Sequence, residues 1–132
     1  MESRTELFNK LGDYLGEGFR RIVYTHIDDN NVVIKFLKNL NDDHNKLEYE
    51  NWMKLKDTER GIWLAPCFSL SEDGRFLIQA KVEVLDEAPE NIPDWIKVLG
   101  DWSFGGNKSK HWGKYSGRVV LIDYGDKQLW NI

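Results

Sequence analysis

The sequence predicts an α+β fold: an antiparallel sheet of about five strands carrying one main helix, with a reduced helical remnant and a C-terminal hairpin. Three observations predict it. Runs rich in β-branched residues alternate with short turn-forming clusters, so most strands are joined by hairpins. One segment, Asp42 to Asp57, breaks that rhythm with Leu47, Trp52 and Leu55 set among Glu and Lys. A chain of 132 residues has room for one core, and 41% apolar residues with six Trp, five Tyr and six Phe are enough to fill it.

The elements follow in order. Leu7, Leu11, Tyr14 and Leu15 share one helical face, which predicts a short helix over residues 4–15 ending near Gly16. FRRIVYTHI and VVIKFL flank Asp28 to Asn31 and read as a hairpin. Asp42 or Asp43 can cap the main helix. After Pro66, CFSLS and RFLIQAKVEVL flank Glu72-Asp73-Gly74, a second hairpin with glycine where the turn needs positive φ. Residues 86–93 hold two prolines and read as a linker, DWIKVL as a short helix, and KYSGRVVLIDYG as a last hairpin. Gly100 to Lys110 is too polar to bury and too long for a simple turn, which marks a candidate functional loop. The whole, residues 1–132, is expected to be one domain, with about 1–85 forming the sheet and helix and 86–132 the linker, loop and hairpin.

Composition narrows the function. Eighteen Lys and Arg against 22 Asp and Glu give a net charge of −4, which argues against a general nucleic-acid binder. The one cysteine, Cys67, has no internal partner and no Cys/His spacing suits zinc, so a reducing compartment, the cytoplasm, is expected. The charged N-terminus lacks an apolar signal region, and no apolar run approaches the ~20 residues that span a bilayer, so no membrane partner is expected.

Several residues carry chemistry. Lys35 alternates with Ile34 and Phe36 and shares a face with Val33, so it either snorkels at a sheet edge or points into a cleft. Glu48 lies on the following helix. Asp123 ends the apolar run Val119 to Ile122 and precedes Tyr124-Gly125, a place for a metal or phosphate ligand or for a turn cap. Trp102, Phe104 and Trp112 sit with Lys108 and Lys110 in or beside the polar loop, as core packing or as a partner contact. His26 and His44 lie beside acidic turn residues and are expected to be solvated, whereas Cys67 is expected to be buried and inert.

The order of these features carries a resemblance. Leu-Gly-Glu-Gly-Phe-Arg-Arg-Ile-Val-Tyr, then Val-Val-Ile-Lys, then a helical glutamate, then Val-Leu-Ile-Asp-Tyr-Gly, resembles the protein kinase superfamily from about Leu15 to Gly125. The short, divergent members encoded by bacteriophages are the most similar in flavour. The resemblance implies a small-lobe-like sheet in which Gly16 and Gly18 admit nucleotide phosphates and Arg21 replaces a third glycine. It implies that Lys35 contacts phosphates and pairs with Glu48, with Glu50 as the fallback. The hinge would be Gln79 to Val82, with Ala80 and Val82 reading adenine, and Asp123 would bind Mg²⁺ beside ATP.

The loop departs from the pattern. The Asp and Asn that kinases place five residues apart are missing; Asp101 is the one loop aspartate that could act as base, and His111, twelve residues before Asp123, stands where the metal-binding Asn belongs. Only seven residues follow Gly125, so an activation segment is expected to be lacking. The expectation is therefore a pseudokinase-type phage protein that binds and modulates or inhibits a host protein and keeps a nucleotide cleft. The alternative is a minimal ATP- and Mg²⁺-dependent phosphotransferase.

Overall fold

The computed structural model describes residues 3–87, 89–96 and 112–130. Its elements are α1 (Arg4–Phe8), β1 (Leu11–Glu17), β2 (Arg21–His26), β3 (Val32–Leu37), α2 (His44–Leu55), a 3-10 turn (Gly61–Trp63), β4 (Cys67–Leu70), β5 (Phe76–Ala80), β6 (Glu83–Val84), β7 (Trp112–Tyr115) and β8 (Arg118–Leu121). The first five strands form an antiparallel sheet in the order β1-β2-β3-β5-β4, and β6-β7-β8 form a smaller antiparallel sheet. The expected α+β class, the five-stranded sheet and its main helix are all present.

Both outer hairpins lie where the turn residues predict them. Val23 pairs with Lys35 across β2 and β3, and Gly74 turns the chain between β4 and β5 with φ 76°. Two expected elements change: RFLIQAKVEVL divides into β5 of the large sheet and β6 of the small one, and the helix expected over residues 4–15 shortens. α1 stops at Phe8, and Leu11–Glu17 pairs with β2 as an edge strand. Gly12 and Gly16 would each cost a helix about 1 kcal/mol, and strand pairing wins. Tyr14 and Leu15, expected on a buried face, are 57% and 50% exposed.

The central strand β3 divides the core. Val32 and Ile34 face Phe76, Ile78 and Leu7 of α1 on one side of the sheet. Lys35 shares the other side with its partner Leu77, and there α2 and the C-terminal hairpin cover the sheet. That second core joins Leu55, Leu64, Cys67, Leu77, Ile96, Trp112, Leu121, Tyr124 and Leu129. A parallel bridge between Leu64 and Leu121 and a bond from the Ala65 N–H to the Leu121 carbonyl tie the small sheet to the segment that leads into β4. Among the described residues, no helix is long and apolar enough to cross a membrane.

The linker lacks helix or strand at 89–93, and 94–96 are helical. The remainder of DWIKVL and the Gly100–Lys110 loop lie outside the described residues. Trp112 does not belong to a solvated loop. It opens β7 at 2% exposure, in the second core, because the strand pairing it begins turns its ring inward.

Candidate functional site: a buried charge cluster

The covered face of the large sheet is polar at its centre. α2 turns His44, Asn45, Glu48 and Asn51 inward, and all four are buried with Leu55. These positions follow the 3.6-residue period, so the helix has a buried stripe, but the stripe is made of hydrogen-bonding groups. Asp42 Oδ1 accepts a 2.9 Å bond from the His44 N–H at the start of the helix. Asn45 donates to the Lys35 carbonyl at 3.1 Å and the Arg75 carbonyl at 2.9 Å, which fixes the helix against β3.

Glu48 is the hub, with no exposed surface. Its Oε2 accepts from Lys35 Nζ at 2.9 Å and from an Arg21 guanidinium nitrogen at 2.7 Å. Its Oε1 accepts from the other terminal nitrogen of Arg21 at 3.1 Å and from the Tyr124 N–H at 2.7 Å. Arg21 extends from the first position of β2 and also reaches Asp123 Oδ1 at 2.7 Å and Asn45 Oδ1 at 3.0 Å. Asp123 follows β8 and meets His44 Nε2 at 2.9 Å. Lys35 Nζ also donates to the Ile122 carbonyl at 2.7 Å, an oxygen it shares with Gln79 Nε2 at 3.0 Å.

Gly125 makes the last approach. A Cβ there would lie 2.4 Å from the His44 carbonyl oxygen and 2.8 Å from the His44 ring, so only glycine lets this turn close onto the start of α2.

The electrostatics follow the contacts. Burial works against the Arg21 charge, but Glu48 and Asp123 outweigh it and hold the guanidinium protonated. Burial would raise Glu48, yet Arg21 and Lys35 together keep its carboxyl below the ordinary range. Asp123 is held well below its ordinary value against burial, first by Arg21 and then by the His44 bond. Lys35 is lowered by burial and by the neighbouring Arg21 charge. Two formal cations thus balance two formal anions; Arg21, Lys35 and Glu48 are buried and Asp123, 35% exposed at its side chain, lies at the edge of the cluster, and each is hydrogen-bonded, as enclosed charges require.

The structure brings Lys35, Glu48 and Asp123 together and selects Glu48 over the exposed Glu50. Lys35 lies on a central strand at 3% exposure, neither at a sheet edge nor at an open cleft. Arg21, expected beside phosphates, turns inward and joins the two carboxylates. His44, expected in solvent, is 3% exposed because α2 begins against the C-terminal turn. Ala80 donates its N–H to the Pro66 carbonyl at 2.8 Å, and Val82 packs against Gly113, whose added Cβ would lie 2.6 Å from a Val82 methyl. Gly16 and Gly18 are on the β1–β2 hairpin, where an added Cβ would meet nothing within 4 Å. Asp101, His111, Trp102, Phe104, Lys108 and Lys110 lie outside the described residues. Sequence reasoning missed Asn45 and Asn51, whose signal was a helical period in polar rather than apolar residues, and Gln79, expected at the hinge, instead donates its side-chain amide to the Ile122 carbonyl.

Ligand atoms of His44, Glu48 and Asp123 lie within 4.8 Å of one another. Mg²⁺ prefers a near-octahedral shell of oxygens and retains waters. Here the guanidinium of Arg21 bridges both carboxylates, and a cation between them would face that fixed positive charge. The residues as arranged do not fit Mg²⁺, and Lys35, 3% exposed, gives two of its three N–H donors to Glu48 and the Ile122 carbonyl.

Cys67 sits at the margin of the cluster, 3.2 Å from the Tyr124 hydroxyl and 4% exposed. Burial, with Glu48 nearby, pushes its thiol up to about 12. Native protein at about pH 8 is therefore expected to resist iodoacetamide for hours and to be alkylated promptly in urea, since the thiolate is the nucleophile. Labelling of the native chain at the rate of a free thiol would contradict this burial.

Comparison with known proteins gives no matching family model and no matching curated sequence.

Proposed function

We propose that the chain is a kinase-like, pseudokinase-type binding protein that acts on a protein partner, in the phage setting a host protein, without transferring phosphate. One observation carries the reading: Lys35, Glu48 and Asp123, the residues that resemble a kinase's phosphate- and metal-handling set, are ion-paired within the fold, Lys35 with Glu48 and both carboxylates with Arg21. A phosphotransferase needs such groups directed at its nucleotide and available to charge that develops in the transition state. Here they hold β2, β3, α2 and the C-terminal turn together. The surface supports a binding role, because Phe19 at the β1–β2 turn is 95% exposed and Leu15 and Tyr14 lie exposed on the adjoining strand. Exposed aromatics are the residues that most often anchor protein interfaces.

The second reading, a minimal ATP- and Mg²⁺-dependent phosphotransferase, is favoured by Gly16 and Gly18. Neither has positive φ and an added Cβ at either would meet nothing within 4 Å, so neither backbone conformation nor steric room requires glycine there.

A thermal-shift titration of the wild type and Lys35→Met with ATP and MgCl₂ separates the two. A ligand at about 100 times its Kd adds about 2.7 kcal/mol, a rise on the order of 10 °C for a domain of this size. No Mg²⁺-dependent rise is expected in either protein at millimolar ATP. A rise in the wild type that Lys35→Met abolishes would overturn the proposal in favour of the phosphotransferase.

A further inference from the structure

The guanidinium of Arg21 occupies the position that a bound cation would need. It is 6% exposed, and it forms both arms of a bidentate pair with Glu48 while its second terminal nitrogen also holds Asp123. Its charge equals what the two carboxylates lack once Lys35 is counted. Asn45 Oδ1 adds a fourth bond at 3.0 Å, so the guanidinium is fixed by groups from α2 as well as by the turn after β8. A planar fork with several donors suits that place better than any other side chain.

We infer that Arg21 is an internal counter-cation, an autoinhibitory contact that closes the Glu48–Asp123 pair to divalent cations, and that its removal opens the pair to them. The inference rests on the proposed reading in that the wild-type cluster is closed, and it adds the residue that closes it. Without Arg21 the cluster keeps Lys35 against two carboxylates, one negative charge in excess, with Asp126 Oδ1 3.4 Å from the ring of His44 beyond it. The three donors within 4.8 Å, two carboxylates and an imidazole, then form a set that suits Mn²⁺.

The test uses MnCl₂ alone, with no nucleotide, on the wild type, Arg21→Ala and Arg21→Lys. Arg21→Ala is expected to melt well below the wild type and to regain at least 5 °C at millimolar MnCl₂. The wild type and Arg21→Lys, which keep a cation in place, are expected to shift by less than 1 °C. Adding Glu48→Gln to Arg21→Ala should abolish the regain. If Arg21→Ala does not fold alone, refolding it and Arg21→Gln in MnCl₂ should restore the folded circular-dichroism spectrum. Failure of Mn²⁺ to raise the melting point or restore folding overturns the inference, and so does an equal Mn²⁺ shift in the wild type. The proposed function is tested on a different protein and probe, the wild type with ATP and MgCl₂. Failure of the Arg21 variants to bind Mn²⁺ therefore leaves that reading standing, and nucleotide binding by the wild type is recognised separately.

Discussion

Glu48→Gln is expected to destabilise the fold by about 3–5 kcal/mol, the usual cost of removing one partner from a buried ion pair. The substitution keeps the size of the side chain and removes its charge. Arg21 then keeps Asp123 as an ion-pair partner while Lys35 loses its bonded carboxylate, and the amide of the new residue turns a donor towards groups that are themselves donors. A domain of this size has about 5–15 kcal/mol in total, so the loss removes a large share of it. Urea unfolding measures it as a fall in midpoint. Glu50→Gln, one turn position away on the exposed side of α2, is expected to change stability by less than about 0.5 kcal/mol. Equal effects of the two substitutions would refute the assignment of Glu48 as the hub.

Asn51→Ala is expected to cost about 3 kcal/mol and to loosen the C-terminal segment before the sheet. Asn51 has no exposed surface and makes three bonds to backbone: its amide donates to the Tyr124 carbonyl at 2.7 Å and the Lys127 carbonyl at 2.9 Å, and its oxygen accepts from the Leu129 N–H at 2.9 Å. Alanine leaves those three groups without that partner, at roughly 1–3 kcal/mol for each buried group left unsatisfied, less than additive. Hydrogen exchange reads the location. The Leu129 amide should lose protection in Asn51→Ala by at least tenfold more than the amides of β3. Uniform loss across the chain, or a cost under 1 kcal/mol, would show that Asn51 does not fasten this segment.

Much of the fold was legible because its signals are local. The hairpins at Asp28–Asn31 and at Glu72-Asp73-Gly74 declare themselves by turn chemistry between β-branched runs, and α2 by a change of period. Leu7, Leu11, Tyr14 and Leu15 fit the helical period that predicts a helix over 4–15, while the pairing of Leu11–Glu17 with β2 depends on residues further along the chain. The site was half legible. Lys35, Glu48 and Asp123 were found from their order along the chain, and they do meet. The inward turn of Arg21 was not readable, since a second arginine, Arg20, stands beside it with its guanidinium at the surface, 3.3 Å from Asp42. His44, Asn45 and Asn51 escaped for a different reason: a search for buried faces looks for apolar residues, and here the buried face of α2 is polar.

The charge cluster also governs how the chain reaches its native state. Arg21 and Asp123 are 102 positions apart, and the Tyr124 amide and Glu48 are 76 apart, whereas Lys35 and Glu48 are separated by 13. Hairpins and α2 close short loops and can form early, but the cluster needs the two ends of the sequence to meet, and the entropy of that closure falls before its bonds repay it. Closure of the cluster by Asp123 and Tyr124 is thus expected to be a late step in folding, after the hairpins and α2.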